Sequence, residues 1–182
     1  MMRYALLRTA IDPLLAVAGI RCLTHLVFMP RAWEYHTSAH ALARETEPDL
    51  PEIQEDPAYF AELTDQLAEY FVGRRTVFTL DLDLRGTDFQ IRVWRQLLQI
   101  PYGKVRTYGD VARTLRQPKA TRAVGQAAGH NPLPIIVPCH RVVGQGGSLV
   151  GFAGGITTKA RLLRLEGHTL GDRARIEEPR LF

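Results

Sequence analysis

The stretch Ile135-Ile136-Val137-Pro138-Cys139-His140-Arg141-Val142-Val143 constrains the fold more than any other part of the 182-residue chain. Its apolar opening reads as a buried strand. Pro138 has no N–H to extend a central ladder, so the strand is expected to stop there and Cys139 to sit on a bend. A tight bend after a buried strand is one way a fold presents a nucleophile. A thiol attacks only as its thiolate, so the imidazole of His140 beside it matters. The same pattern also fits a small, inert core cysteine.

The length allows one sizeable domain or two small ones. No apolar run approaches the ~20 residues of a membrane span. The start, Met1-Met2-Arg3-Tyr4-Ala5-Leu6-Leu7-Arg8, has charges within its apolar stretch and no small-residue cleavage site, so no signal peptide is expected. Only Cys22 and Cys139 carry thiols, far apart in the chain, which points to a reducing cytoplasm. The net charge of +4 hides an asymmetry. Residues 1–87 hold 8 Arg and 13 acids (−5), whereas residues 88–182 hold 15 basic groups and 6 acids (+9). A basic half can meet a polyanion or can serve as a solubilising surface.

The first half reads as a small α/β unit, with short strands at Tyr4–Leu7, Pro13–Ala18 and Cys22–Phe28. Residues 30–56 are polar and rich in Pro and Glu, and read as a long loop. Asp56-Pro57 opens a helix with an acidic cap and Pro at its first position. Phe60, Leu63, Leu67, Tyr70 and Phe71 line one face, and Gly73 ends it. Phe78 to Leu84 alternates like a half-buried strand, and Gly86-Thr87 is the expected linker.

The second half reads as mostly helical. Phe89, Val93, Leu97 and Ile100 form a stripe ending at Pro101. Thr107 caps a helix carrying Tyr108, Val111, Ala112 and Leu115, and Gln117-Pro118-Lys119 breaks it. Residues 120–129 form the next helix, so the pair resembles a helix-turn-helix. This helix is thin, rich in Ala and Gly, and suits either a nucleic-acid backbone or a neighbouring helix. Ser148–Phe152 is a candidate returning strand, and a last helix spans about 157–166. Glu166 closes it against the negative end of the helix dipole, a placement unfavourable by ~0.3–1 kcal/mol. Near a Cys-His pair it becomes a candidate to orient the imidazole.

Several spaced motifs then agree: Pro101-Tyr102-Gly103-Lys104-Val105 through Thr107-Tyr108-Gly109, Arg122-Ala123-Val124-Gly125, Asn131-Pro132, Pro138 to Val143, Gly154-Gly155 and Leu162 to Gly167. Together they resemble the O6-alkylguanine-DNA alkyltransferases, strongly over residues 88–167 and loosely over 1–87. The resemblance implies an α+β fold: a small N-terminal α/β, RNase H-like domain (1–87, with a loop near 30–56), a mostly helical winged helix-turn-helix domain (88–170) and a C-terminal tail (171–182). It implies single-turnover transfer of an alkyl group from O6-alkylguanine, with O4-alkylthymine a second allowed substrate, to Cys139. His140 would activate the thiol through a water, Glu166 would orient His140, and Asn131 would brace the bend. Arg122 would fill the gap left by a flipped base, flanked by Thr121 and Ala123 on the recognition helix. Tyr108 would hydrogen-bond the flipped base, Val142 and Ala153 would read its edge through backbone groups, and Phe152 would wall the pocket. No cofactor is implied. The partner is double-stranded DNA with an alkylated guanine, met by a monomer away from membranes. Phe152 and Ala153 depart from a Tyr and a Ser of some relatives. Cys22, His25, His36 and His40 are spaced vaguely like metal ligands, but Cys22 and His25 would point to opposite faces of a strand, so no metal is expected. The rival functions are a non-catalytic helix-turn-helix or lesion-flagging protein and a cysteine hydrolase.

Overall fold

In a computed structural model of the protein, residues 1–49, 52–171, 174–177 and 181–182 are described. The chain divides into two compact units, Met1–Arg85 and Gly86–Phe182. The fold is α+β, with a sheet unit first and a helical unit second.

In the first unit, β1 (Met2–Leu7), β2 (Leu14–Ala18) and β3 (Leu23–Phe28) form an antiparallel meander. A short β4 (Ile53–Glu55) joins parallel to β1, giving the order β3-β2-β1-β4. β2 is central and every residue of it is buried, which explains its continuous apolar sequence. The expected loop at 30–56 is corrected here: it contains α1 (Tyr35–Thr46) as well as β4. Leu50 and Pro51 of that loop lie outside the described residues. The helix fully buries only the small residues Ala39, Ala43 and Thr46, with Tyr35 and Leu42 partly buried beside them. Ala39 and Ala43 pack with Met2, Tyr4, Leu15, Val17 and Met29. Asp56 accepts from the Tyr59 N–H at 3.2 Å to open a 3₁₀ turn, which runs into α2 (Ala61–Phe71). The strand expected at Phe78–Leu84 does not form. Only Leu82 bridges Leu23, with Leu23 N–H to Asp81 O and Asp83 N–H to Leu23 O at 2.9 Å each. That segment has alternation but only one residue's worth of partner.

In the second unit, two capping boxes start the helices. Thr87 and Gln90 close the first turn of α3 (Asp88–Leu97); Thr107 and Asp110 close that of α4 (Tyr108–Thr114). After the break at Gln117, α5 (Thr121–Gly129) buries Val124, Ala127 and Ala128. Trp94 of α3 donates its indole N–H to Ala127 O at 2.8 Å, fixing α3 on α5. β5 (Arg106–Thr107) pairs parallel with β6 (Val142–Val143). α6 (Gly155–Leu165) follows, then β7 (Leu170–Gly171) paired with β8 (Arg175–Ile176). Ile176 is buried with Val105, Val143, Leu149, Ala160 and Leu163. Ser148–Phe152 is no strand: Ser148 alone bridges Arg175.

The buried strand expected at Ile135–Val137 is also corrected. The residues are buried, but Ile135 and Ile136 form a turn, and Pro134 bridges Val137 across it. Ile135 has φ 76°, a left-handed conformation that a β-branched residue rarely adopts. The apolar run folds back on itself rather than extending, because Pro134 and Pro138 flank it. Cys139 then begins a 3₁₀ turn to Arg141.

Candidate active site

Cys139 is held in place by short backbone links. Its N–H reaches Val137 O at 2.8 Å, and Arg141 N–H reaches Pro138 O at 3.0 Å. Asn131 braces this turn with its whole amide. Its Nδ2 donates to Val137 O at 2.8 Å and to Cys139 Sγ at 3.1 Å, while its Oδ1 accepts from Leu133 N–H at 3.0 Å. The thiol is buried. Burial pushes its pKa up; the Asn131 amide and the Lys159 ammonium draw it back down.

His140 and Glu166 are both buried, and His140 Nε2 lies 2.8 Å from Glu166 Oε1. Glu166 ends α6 in a Schellman motif: Gly167 has φ 84°, its N–H meets Arg164 O, and His168 N–H meets Leu163 O. The poor position of a carboxylate at a helix C-terminus is outweighed by its partners. Arg141 grips it in a fork, Nε to Oε2 at 2.9 Å and Nη2 to Oε1 at 2.9 Å. Gly103 N–H donates to Oε2 at 3.0 Å. Gly103 must be glycine on two counts: its φ is 70°, and a Cβ there would lie 3.1 Å from Glu166 O. The third Arg141 nitrogen, Nη1, donates to Ile100 O at 2.6 Å.

Burial raises the Glu166 pKa, but His140 and Arg141 win and hold it well below the usual carboxylate range. Burial lowers the His140 pKa, Glu166 raises it, and Arg141 and Lys159 lower it again; the net is downward. His140 is therefore neutral at pH 7. Facing a carboxylate through Nε2, it carries its proton there and keeps the lone pair on Nδ1, the arrangement of a base.

Tyr108 stands at the start of α4. Its hydroxyl donates to Val150 O at 3.0 Å, and burial with the nearby Cys139 pushes its pKa up to about 12. Val142 is fully buried, with its N–H on Cys139 O. Phe152 is half-buried and Ala153 exposed, in the segment leading into α6. Thr121 and Arg122 are exposed and Ala123 half-buried on the first turn of α5. Asn131, Cys139, His140 and Glu166 thus form one buried cluster, with Tyr108 beside it. Thr121, Arg122 and Ala123 stand apart on a helix surface.

Three residues of this cluster escaped the sequence reading: Arg141, Gly103 and Lys159. A signal existed for two of them. An ill-placed carboxylate calls for a buried cation, and Arg141 sits inside the Cys-His motif. Lys159 precedes Leu162, Leu163 and Glu166 by three, four and seven residues, so it shares their buried stripe. Among the described residues no group of His, Cys, Asp and Glu could hold a metal ion. His36 Nδ1 instead lies 2.8 Å from the Tyr4 hydroxyl.

Residues 88–168 match the 6-O-methylguanine DNA methyltransferase DNA-binding domain, and residues 2–84 match the ribonuclease-like domain of the same proteins. The chain belongs to the 6-O-methylguanine DNA methyltransferase family. A methylated-DNA–protein-cysteine methyltransferase of Mycobacterium bovis is 52% identical over 130 residues, 71% of this chain and 79% of the relative. One from Methanosarcina mazei is 39% identical over 170 residues, 93% and 99% of the two chains. The crystal structure of the Mycobacterium tuberculosis O6-methylguanine methyltransferase superimposes with a TM-score of 0.78 at 44% identity, covering 91% of this chain and 93% of that one. The Mycobacterium tuberculosis protein in complex with DNA gives 0.76 at 43% identity, covering 90% and 92%. The function of this alkyltransferase is direct-reversal DNA repair, and the non-catalytic alternative is not favoured.

Proposed function

We propose that Cys139 is the acceptor of the alkyl group and that the reaction runs once per molecule. The observation that carries this is the buried arrangement of Cys139 Sγ on Asn131 Nδ2, with neutral His140 held by an ionised Glu166 in the next residue's reach. The sulfur attacks the alkyl carbon on guanine O6. An S–C bond forms as the C–O6 bond breaks, and that electron pair stays with the guanine. The thiol proton leaves through a water to His140 Nδ1, and guanine takes a proton at N1. A thioether is not readily hydrolysed, so nothing regenerates the thiol. Thiol and substrate balance the equation, and no cofactor enters it.

The partner in this reading is double-stranded DNA carrying an alkylated guanine, bound by a monomer. A base inside the duplex is out of reach of a buried sulfur, so it must be flipped out. Arg122, exposed on the first turn of α5, would occupy the gap, with Thr121 and Ala123 along the backbone. Tyr108, kept protonated at neutral pH, would bond the flipped base. Val142 and Ala153 would offer backbone groups to its edge, and Phe152 would close the pocket. DNA binding and chemistry then belong to 88–170, with 1–87 a separate domain, while the C-terminal segment 171–182 packs Ile176 into the core of the second unit. A reducing, cytoplasmic setting fits, because Cys139 must stay a free thiol.

Incubating the protein with a duplex oligonucleotide containing O6-methylguanine, followed by peptide mass analysis, tests the reading. One methyl group should appear on Cys139 and none on Cys22, and Cys139→Ala should lose all transfer yet still bind DNA. Methyl on Cys22, or repeated turnover, refutes it.

A further inference from the structure

Three helices of the chain end in the same way, and one of them departs in residue type. α2, α4 and α6 each close with a Schellman motif, in which a left-handed residue lets the next N–H reach back over the last turn. At α2, Arg74 N–H meets Glu69 O at 2.8 Å and Gly73 takes φ 73°. At α6, His168 N–H meets Leu163 O at 3.0 Å and Gly167 takes φ 84°. At α4, Gln117 N–H meets Ala112 O and Arg116 N–H meets Arg113 O, both at 2.9 Å. The left-handed residue there is Arg116, with φ 59°. A Cβ in that conformation crowds the following carbonyl oxygen, so glycine is the relaxed choice. The chain uses glycine at two of these ends. At the third, in the turn between α4 and α5, it accepts strain to place an arginine.

Strain of this kind points to work for the side chain, and Arg116 has none inside the fold. It is exposed, and among the described residues its guanidinium makes no ion pair and donates no hydrogen bond. Its neighbours along the chain are of one sign. No Asp or Glu occurs between Asp110 and Glu166. Arg113 is bonded to Asp110, the last acid before that span. Arg116, Lys119 and Arg122 then follow at three-residue steps, all exposed and all without an acidic partner among the described residues. Such a run repels itself until a polyanion neutralises it.

We propose that Arg116 is a DNA-binding residue, held out by the α4–α5 turn to take a backbone phosphate of the duplex. The planar guanidinium fork matches phosphate oxygens. A phosphate contact reads no base, so it serves damaged and undamaged duplex alike. The turn gives up stability for that contact.

The inference rests on duplex DNA being the partner, and its test separates the two. An unmodified duplex is titrated over a series of salt concentrations with the parent, Arg116→Gly, Arg116→Gln and Arg116→Lys, and each variant is unfolded in urea. Arg116→Gly relaxes the turn and removes the charge. Its urea midpoint should rise, while the slope of log affinity against log salt becomes shallower by about 0.9. With the two lines meeting near 1 M salt, that is roughly eightfold weaker binding at about 0.1 M. Arg116→Gln keeps the strain and should lose the same slope. Arg116→Lys keeps the charge and should hold the parental slope. Reaction with free O6-methylguanine should stay parental in all three. An unchanged slope in Arg116→Gly and Arg116→Gln overturns the proposal, as does an equal loss in Arg116→Lys. A lower urea midpoint in Arg116→Gly overturns it too, because the arginine would then be holding the turn. A parent without salt-dependent duplex binding would sink the DNA reading itself. A parent that binds steeply, matched by Arg116→Gly, sinks the role of Arg116 alone.

Discussion

The two units handle charge in opposite ways. In Met1–Arg85 the ion pairs lie at the surface: Arg85 bonds Glu47 at 2.6 Å and Asp83 at 2.8 Å, and Arg75 bonds Glu69 at 2.7 Å. Its interior holds the apolar Leu14 to Ala18 of β2, and its buried polar residues, Thr24, Thr46 and Gln66, are uncharged. In Gly86–Phe182 charge goes inside: Glu166, Arg141 and Lys159 are all buried. Surface pairs contribute about 0–1 kcal/mol each, whereas breaking a buried pair by removing one partner costs about 3–5 kcal/mol. A chain gains little stability from a buried pair over an apolar one, so its presence needs another reason. The proposed thiolate chemistry at Cys139 is that reason. The first unit keeps its ion pairs at the surface, and the second encloses three charged side chains around the proposed reactive site.

The largest effect expected from this contrast is at Glu166. Glu166→Gln leaves Arg141 as a buried charge without its counter-ion and should lower the stability of the second unit by about 3 kcal/mol or more. Arg75→Ala in the first unit should cost under about 1 kcal/mol. Urea unfolding of both variants checks the pair, and equal losses would break the comparison. The pH dependence sharpens it. The folded pKa of Glu166 lies below its unfolded value, so its contribution is complete above roughly pH 4.3 and is lost as pH falls toward the folded value. The parent should lose stability below roughly pH 4.3 more steeply than Glu166→Gln does. Alkyl transfer should slow in Glu166→Gln as well, because His140 loses the carboxylate that fixes its tautomer.

These contrasts also explain what the sequence could and could not reveal. The caps at Asp56 and Thr107 were legible, since each acts within four residues of chain, whereas Thr87, expected only as linker, closes a capping box with Gln90. The Cys-His motif and Glu166 were legible through spaced motifs that agree. The helix Tyr35–Thr46 was not, because its buried stripe is Ala39, Ala43 and Thr46, too small to register as apolar periodicity. The turn at Ile135 was missed for the opposite reason: its residues are strongly strand-forming, and the flanking Pro134 and Pro138, with Pro134 bridged to Val137 across the turn, override that preference. Lys159 reads as surface charge by residue type, and its stripe position shows otherwise.

A smaller effect is expected on the exposed face of α5, where the second unit does keep a charge outside. Arg122→Ala should remove no buried contact and so leave stability within about 0.5 kcal/mol. Its proposed work is done only when a base leaves the stack, a step that costs a few kcal/mol. Reaction with an O6-methylguanine duplex should fall by about tenfold or more, while reaction with the free base stays near parental. The duplex reaction should also weaken with salt, because phosphate contacts release counter-ions. Equal losses on both substrates would mean that Arg122 supports the pocket and that the contrast between buried and exposed charge does not sort the roles.

The smallest effect separates two explanations for the glycine within α5. A helix interior holding Gly is less stable than one holding Ala by about 0.5–1 kcal/mol. A thin helix has a use if its backbone must lie against DNA, and Gly125 would then be required. The geometry argues against that for this position. A Cβ on Gly125 would stand 3.8 Å from Cδ1 and Cε1 of Tyr108, an ordinary contact on the inward side of the helix. Gly129, by contrast, is exposed, with nothing within 4 Å of its added Cβ. Gly125→Ala should therefore raise stability by about 0.5–1 kcal/mol with duplex binding unchanged. Denaturant unfolding and a duplex titration on the same sample check it. If stability rises but methyl transfer falls, the added methyl has shifted the Tyr108 ring, and the tolerance in this corner of the pocket is tighter than 3.8 Å implies. If duplex binding itself is lost, Gly125 belongs to the DNA-facing side, and the inward placement of this residue is wrong.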